Sequence, residues 1–179
     1  MKSAWERLST LDDDGRVLAV IEAASESRSK FKFCPRSGIF KLHSVLPAGT
    51  AFPHSFGFVP GTLGEDGDPL DIVVLSDEPP PVSTVVPCRL IAILRATQKD
   101  GKGTIRNDRL LGVADTSERY AQCRHRKDIQ ETVLRRIADF FAFYHREQGK
   151  TFTPIGWKGL KAAQDALAAG QRAAKKRDG

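Results

Sequence analysis

Apolar and β-branched residues fall in short runs over the first two thirds of the chain, and turn residues cut the runs apart. Residues 17–21 form one such run, and residues 31–33 and 39–42 flank Cys34-Pro35-Arg36-Ser37-Gly38, where Pro and Gly predict a hairpin turn. Residues 72–75 and 90–94 read as buried strands, separated by Glu78-Pro79-Pro80-Pro81, which cannot donate ladder hydrogen bonds and therefore connects them at the surface. Lys99-Asp100-Gly101-Lys102-Gly103 predicts a second turn, leading back into a strand at 110–113. Farther on the period changes. Val133, Ile137, Phe140, Phe141 and Tyr144 recur at i, i+4, i+7, i+8 and i+11, one stripe of a helix that Gln148-Gly149 should end. A second, Ala-rich helix is expected over 160–169, with Gly170 as its stop. Many short strands followed by two helices predict an α+β fold: a small barrel or strongly bent antiparallel sheet carrying helices on its outside.

Length and composition narrow this picture. The 179 residues suit one domain, 1–179, with residues 1–15 as an N-terminal extension and 171–179 as a basic, solvated tail. Trp5 and Trp157, near the two ends, are candidates to pack on the barrel. No stretch approaches the roughly 18 consecutive apolar residues of a membrane span. The first residues lack the apolar core of a signal peptide, and Cys34, Cys88 and Cys123 are widely spaced without a CxxC pair, so a cytoplasmic protein with reduced thiols is expected. The formal net charge is +6, yet six basic residues against two acids beyond residue 157 account for most of it. A nucleic-acid partner is therefore not expected from charge alone.

The chemistry is concentrated in Asp66-Gly67-Asp68-Pro69-Leu70-Asp71, directly before an apolar strand. Three carboxylates entering a buried strand repel one another unless a cation or strong donors offset the charge. Hard oxygen ligands suit Mg²⁺, Mn²⁺ or Ca²⁺. An EF-hand is excluded by Leu70 and Asp71, which stand where an oxygen ligand and a glycine are required. A metal held by aspartates keeps waters and holds phosphates, so phosphoryl transfer to water is the natural reaction, with Lys30 and Arg109 as candidates for gripping phosphate.

Three groups of residues then match a known pattern: 17–22; Phe52-Pro53-His54-Ser55-Phe56-Gly57-Phe58 with Asp66-Gly67-Asp68-Pro69-Leu70-Asp71; and Asn107-Asp108-Arg109-Leu110-Leu111-Gly112-Val113 with Phe140, Phe141 and Tyr144. By these the chain resembles the family I soluble inorganic pyrophosphatases, in a branch with an Arg-Asn-Asp-Arg hairpin. The resemblance implies an OB-like five-stranded antiparallel β-barrel with two or more external helices, Mg²⁺-dependent hydrolysis of pyrophosphate to two phosphates (Mn²⁺ a possible substitute), and a homo-oligomer. It makes Asp68 the general base, and Asp66, Asp71, Asp68 and Glu22 the metal ligands, with Asp71 bridging two ions. Lys30, Tyr144 and Arg109 become phosphate ligands, with Lys32 and His145 further candidates. The chain also departs from the family pattern. Lys32 replaces a glutamate, Ser44 an arginine, Phe56 a tyrosine, and His145 a lysine, while Gln98 and Asn107 occupy the places of an acidic pair that Asp100 or Asp108 could supply after a shift. Two other readings stay open at this point: a hydrolase of another phosphoanhydride, such as a nucleotide or polyphosphate, and an OB-like module that binds polyanions or a partner.

Overall fold

The computed structural model describes residues 7–178, so Trp5 and the first part of the N-terminal extension lie outside the described residues. The elements are β1 (Val17–Ala23), β2 (Ser29–Cys34), β3 (Ile39–Val45), β4 (Ser55–Phe58), β5 (Asp71–Leu75), β6 (Val85–Asp100), β7 (Gly103–Arg106), β8 (Arg109–Ala114), α1 (Glu131–Arg146), β9 (Thr151–Lys158) and α2 (Leu160–Asp178).

Five strands close on themselves: β1 pairs with β4, β4 with β5, β5 with β8, β8 with β6, and β6 again with β1. The expected five-stranded OB-like barrel is present, but it is not wholly antiparallel, because β5 and β8 run parallel. Two further strands, β7 and β9, extend the sheet from β6, and β2–β3 forms a separate hairpin. The 16-residue β6 serves all these partners by bending at irregularities after Leu90 and Arg95. β9 was not foreseen, since Pro154 and Gly156 are poor strand residues. Among the described residues it pairs with β6 alone, and an edge strand tolerates a proline.

Alternation along the strands sends side chains to two apolar layers. Val73 and Leu75 join Leu94, Leu111, Leu134, Ile137 and Phe141, the stripe of α1. Ile72 and Val74 join Val17, Ile21, Leu110, Ala163 and Leu167, which seats α2. Both faces of the central strands are thus buried, with each large apolar side chain contributing roughly 1.5–3 kcal/mol. Trp157 packs against the α1 layer and donates its Nε1–H to the Leu134 carbonyl at 3.1 Å.

The expected helix stop at Gly170 is not made. α2 continues to Asp178, so most of the stretch expected as a solvated tail is helix. The glycine serves a close approach: a Cβ there would stand 2.7 Å from Leu70 Cδ1 and 3.2 Å from Thr62 Cβ, and the Gly170 carbonyl accepts the Leu63 amide. The helix is thereby pressed on the segment that carries the carboxylates.

A second close approach closes the barrel. A Cβ on Gly57 would lie 1.9 Å from the Val20 carbonyl oxygen, where β4 crosses β1. Gly57→Ala should therefore force the two backbones apart at a cost of about 3 kcal/mol. The expected outcome is a Tm lower by about 6–12 °C, and an unchanged melt would show that the strands do not meet so tightly.

Candidate active site

One cleft of about 720 Å³ opens at the end of the barrel, lined from β1, β2, β5, β6, β8 and α1. Its acidic wall is the turn that leads into β5. Gly67, at φ +85°, turns the chain, and Asp66 Oδ1 accepts the Asp68 amide at 3.1 Å. The Gly64 amide donates to the Asp68 carbonyl at 2.8 Å, and Leu70 is tied to Thr62 Oγ1 at 2.9 Å. Asp66, Asp68 and Asp71 consequently face the same space as Glu22 from β1.

Crowding and burial show in their acidities. Burial pushes Glu22, 5% exposed, up to about 7, against the pull of Lys30 and with a further push from Asp71. Burial also raises Asp66; the Asp68 amide offsets part of this, and the neighbouring Asp71 and Asp68 carboxylates add to it.

Three of the carboxylates face a cation of the chain itself. Lys30 Nζ lies 3.7 Å from Glu22 Oε2, Lys32 Nζ 2.7 Å from Asp68 Oδ2, and Arg109 Nη1 2.7 Å from Asp71 Oδ2. Burial alone would lower the Lys30 ammonium, but Glu22, Tyr144 and Asp71 outweigh it and hold it above its ordinary range. Lys30 also lies over the rings of Phe56 (5.0 Å) and Tyr144 (5.8 Å), so Phe56, in the place of an expected hydroxyl, supplies a π-face. Across the β2–β3 ladder Lys30 stands opposite Ser44, which does not line the cleft.

The remaining candidates divide. Lys30, Lys32, Tyr144, His145, Asp100 and Arg109 line the cleft. Asp108 does not. Its oxygens are held by Arg95 at 2.6 Å, Arg106 at 2.9 Å and the Ala96 amide at 2.9 Å, outside the cleft's lining, so the structure does not bring it together with the other candidate ligands. Gln98 and Asn107, at the places of the missing acids, are buried and bonded to each other, Asn107 Nδ2 donating to Gln98 Oε1 at 2.8 Å. Arg109 is enclosed among the rings of Phe56, Phe141 and Phe152. His145, buried beside it, is depressed to about 3 by burial and by that guanidinium.

Glu65 also lines the cleft, tied to the Arg106 amide at 2.8 Å, and Lys102 and Lys150 stand at its rim. Sequence reasoning did not single these out as site residues. Adjacency to Asp66 was a usable signal for Glu65, whereas isolated lysines in turns carry none.

Carboxylate oxygens, with burial and mutual crowding pushing the pKa of Glu22 and Asp66 up, make a donor set that fits a hard divalent cation. Among the described residues, no three His, Cys, Asp or Glu side chains already converge on one point, and three of the carboxylates are paired with the chain's own cations.

Comparison with known proteins places this cleft in context. The family model described as inorganic pyrophosphatase matches residues 19–175. The chain is 35% identical to the inorganic pyrophosphatase of Thermus thermophilus over 153 residues, 84% of this chain and 85% of that one. It is 35% identical to that of Nostoc sp. over 144 residues, covering 80% and 83% of the two. The solved Thermus thermophilus structure superposes with a TM-score of 0.87 at 32% identity, over 97% of this chain and 99% of that chain. The Helicobacter pylori enzyme gives 0.85 at 27% identity, over 94% and 99%. A match that spans the barrel, the carboxylate turn and both helices assigns the chain to the inorganic pyrophosphatase family.

Proposed function

We propose that the chain hydrolyses inorganic pyrophosphate to two phosphates with the help of a divalent cation, Mg²⁺ or in its place Mn²⁺. The observation that carries this is the gathering of Asp66, Asp68, Asp71, Glu22, Lys30 and Tyr144 in one cleft, within a chain of the pyrophosphatase family. Asp66, Asp71 and Glu22 would hold the cations, with Asp68 and Asp100 beside them. A bound divalent cation supplies neutralisation of phosphate oxygens and acidifies a water.

The chain's own groups account for the other steps. Lys30, kept protonated by its acidic neighbours, and the Tyr144 hydroxyl bind and orient one phosphate. Lys32 stands ready for another oxygen once it leaves Asp68. Asp68 is half-exposed and accessible to water, so its carboxylate can accept the proton as the new P–O bond forms and the bridging P–O bond breaks. Readings as a hydrolase of longer phosphoanhydrides or as a polyanion-binding module have no separate observation in their favour. Exposed Ile39, Leu42 and Val45 support self-association, and the free thiols Cys34, Cys88 and Cys123 fit a reducing cytoplasm. Among the described residues no helix is long and apolar enough to cross a membrane.

Phosphate release from pyrophosphate should require Mg²⁺ and stop with EDTA; release that persists in EDTA would refute the metal requirement. Asp68→Asn should lower kcat by about 10²–10⁴-fold and, because its ion pair with Lys32 is solvent-exposed, shift stability by less than about 1 kcal/mol. Full activity in that variant would remove Asp68 as the base. Glu22 yields a pH dependence. With its carboxyl lifted to about 7, it carries a proton at lower pH that a cation must displace, so metal affinity falls as pH falls through that value. Calorimetric titration with Mn²⁺ should give roughly tenfold weaker binding at pH 6 than at pH 8, and Glu22→Gln should flatten the difference. An equal difference in that variant would assign it to other groups.

A further inference from the structure

The surroundings of Arg109 do not resemble those of a residue waiting for phosphate. Its side chain is 3% exposed, with the guanidinium 4.9 Å from the ring centre of Phe141 and 5.1 Å from that of Phe152. Nη1 donates to Asn107 Oδ1 and faces Asp71 Oδ2 at 2.7 Å, and Nη2 lies 3.3 Å from His145 Nε2.

The proton positions in this cluster follow from chemistry. The Phe141 carbonyl, 2.9 Å from His145 Nδ1, can only accept, so Nδ1 carries the hydrogen and Nε2 presents its lone pair to Arg109. A guanidinium can only donate, so Asn107 must turn Oδ1 toward it, which leaves Nδ2 for Gln98 Oε1 at 2.8 Å. Among the described residues, the polar side-chain partners of Arg109 are two neutral acceptors, Asn107 and His145, and one anion, Asp71. The amide at 107, braced by Gln98, and an imidazole at 145 hold the guanidinium in place without taking any of its charge.

We propose that Arg109 is a built-in cation that neutralises Asp71, positioned by Asn107 and His145 with Gln98 supporting Asn107, and that it weakens the cleft's hold on divalent ions at that carboxylate. Resting on the metal-dependent reading of the cleft, this recasts Arg109 from phosphate ligand to positioning residue. A dication that reaches Asp71 meets a fixed positive charge already there.

The test is Mn²⁺ binding to the metal-free protein, without any anion, by calorimetry. Arg109→Met removes the charge and leaves a side chain suited to the space between phenyl rings. Arg109→Gln is the second neutral variant, and Arg109→Lys keeps the charge. Thermal melts establish folding. The neutral variants should bind Mn²⁺ about five- to tenfold more tightly than wild type, and Arg109→Lys within about twofold of it. Affinity that is unchanged or weaker in the folded neutral variants overturns the proposal. If inorganic phosphate then binds more than about tenfold more weakly, the residue is a phosphate ligand after all. Failure of both neutral variants to fold would make Arg109 a structural residue only. Absence of Mn²⁺ binding to wild type and variants alike would sink the metal-dependent reading itself, whereas Mn²⁺ binding indifferent to Arg109 sinks this proposal alone.

Discussion

Like charges brought together in a partly dry cleft repel, and this chain must hold Glu22, Asp66, Asp68 and Asp71 around one space. Its solution is one internal cation for each of three of them, delivered by different parts of the barrel. Lys30 and Lys32 come from β2, outside the closed ring, and Arg109 from β8 within it. The decisive element is the parallel pairing of β5 with β8, whose register sets Asp71 directly beside Arg109. Parallel neighbours cannot be joined by a tight hairpin, so β6 and β7 intervene in sequence, and β6 becomes the long strand that closes the ring. The ion pair and the topology are two aspects of one constraint.

Much of this was legible in the sequence because it is local. The apolar runs at 17–21 and 72–75, the hairpin around Cys34-Pro35-Arg36-Ser37-Gly38, and the stripe of Val133, Ile137, Phe141 and Tyr144 each follow from the period of a single element. The Asp-Gly-Asp-Pro-Leu-Asp frame was legible as chemistry for the same reason: charge density is read directly from neighbouring residues. What stayed hidden depends on distant partners. Nothing near residue 109 announces that it will lie beside Asp71, and the proline in β9 argues against a strand that only β6 makes possible. Gly170 reads as a stop signal by propensity, yet the helix runs through it, and the glycine answers a distant partner, since Leu70 occupies the space where a Cβ would go.

The same distinction explains the fate of Asp108. By sequence it was a plausible replacement for a missing acid, sitting in an Asn-Asp-Arg run next to a phosphate-ligand candidate. Asn107 and Asp108 form the two-residue connection between β7 and β8, and of the two Asn107 lines the cleft. The position that faces inward carries the amide, and the acid is directed to Arg95 and Arg106. Proximity in sequence to a site thus does not settle which of two neighbours reaches it: Glu65 and Asp66 both line the cleft, whereas of Asn107 and Asp108 the amide does.

Three of the departures from the family pattern, Gln98, Asn107 and His145, cohere when read as charge. An arginine enclosed by aromatic rings needs one counter-charge and several neutral acceptors, and a second or third carboxylate around it would compete with Asp71. Asn107, itself held by Gln98, supplies an acceptor without charge, and His145, held neutral at a pKa of about 3, does the same from α1. A lysine at 145 would place a second positive charge where Nε2 now accepts from Arg109, while acids at 98 and 107 would draw the guanidinium away from β5. Each substitution taken alone looks like the loss of a functional group. Taken together they are the set of neighbours that a buried guanidinium facing one aspartate requires.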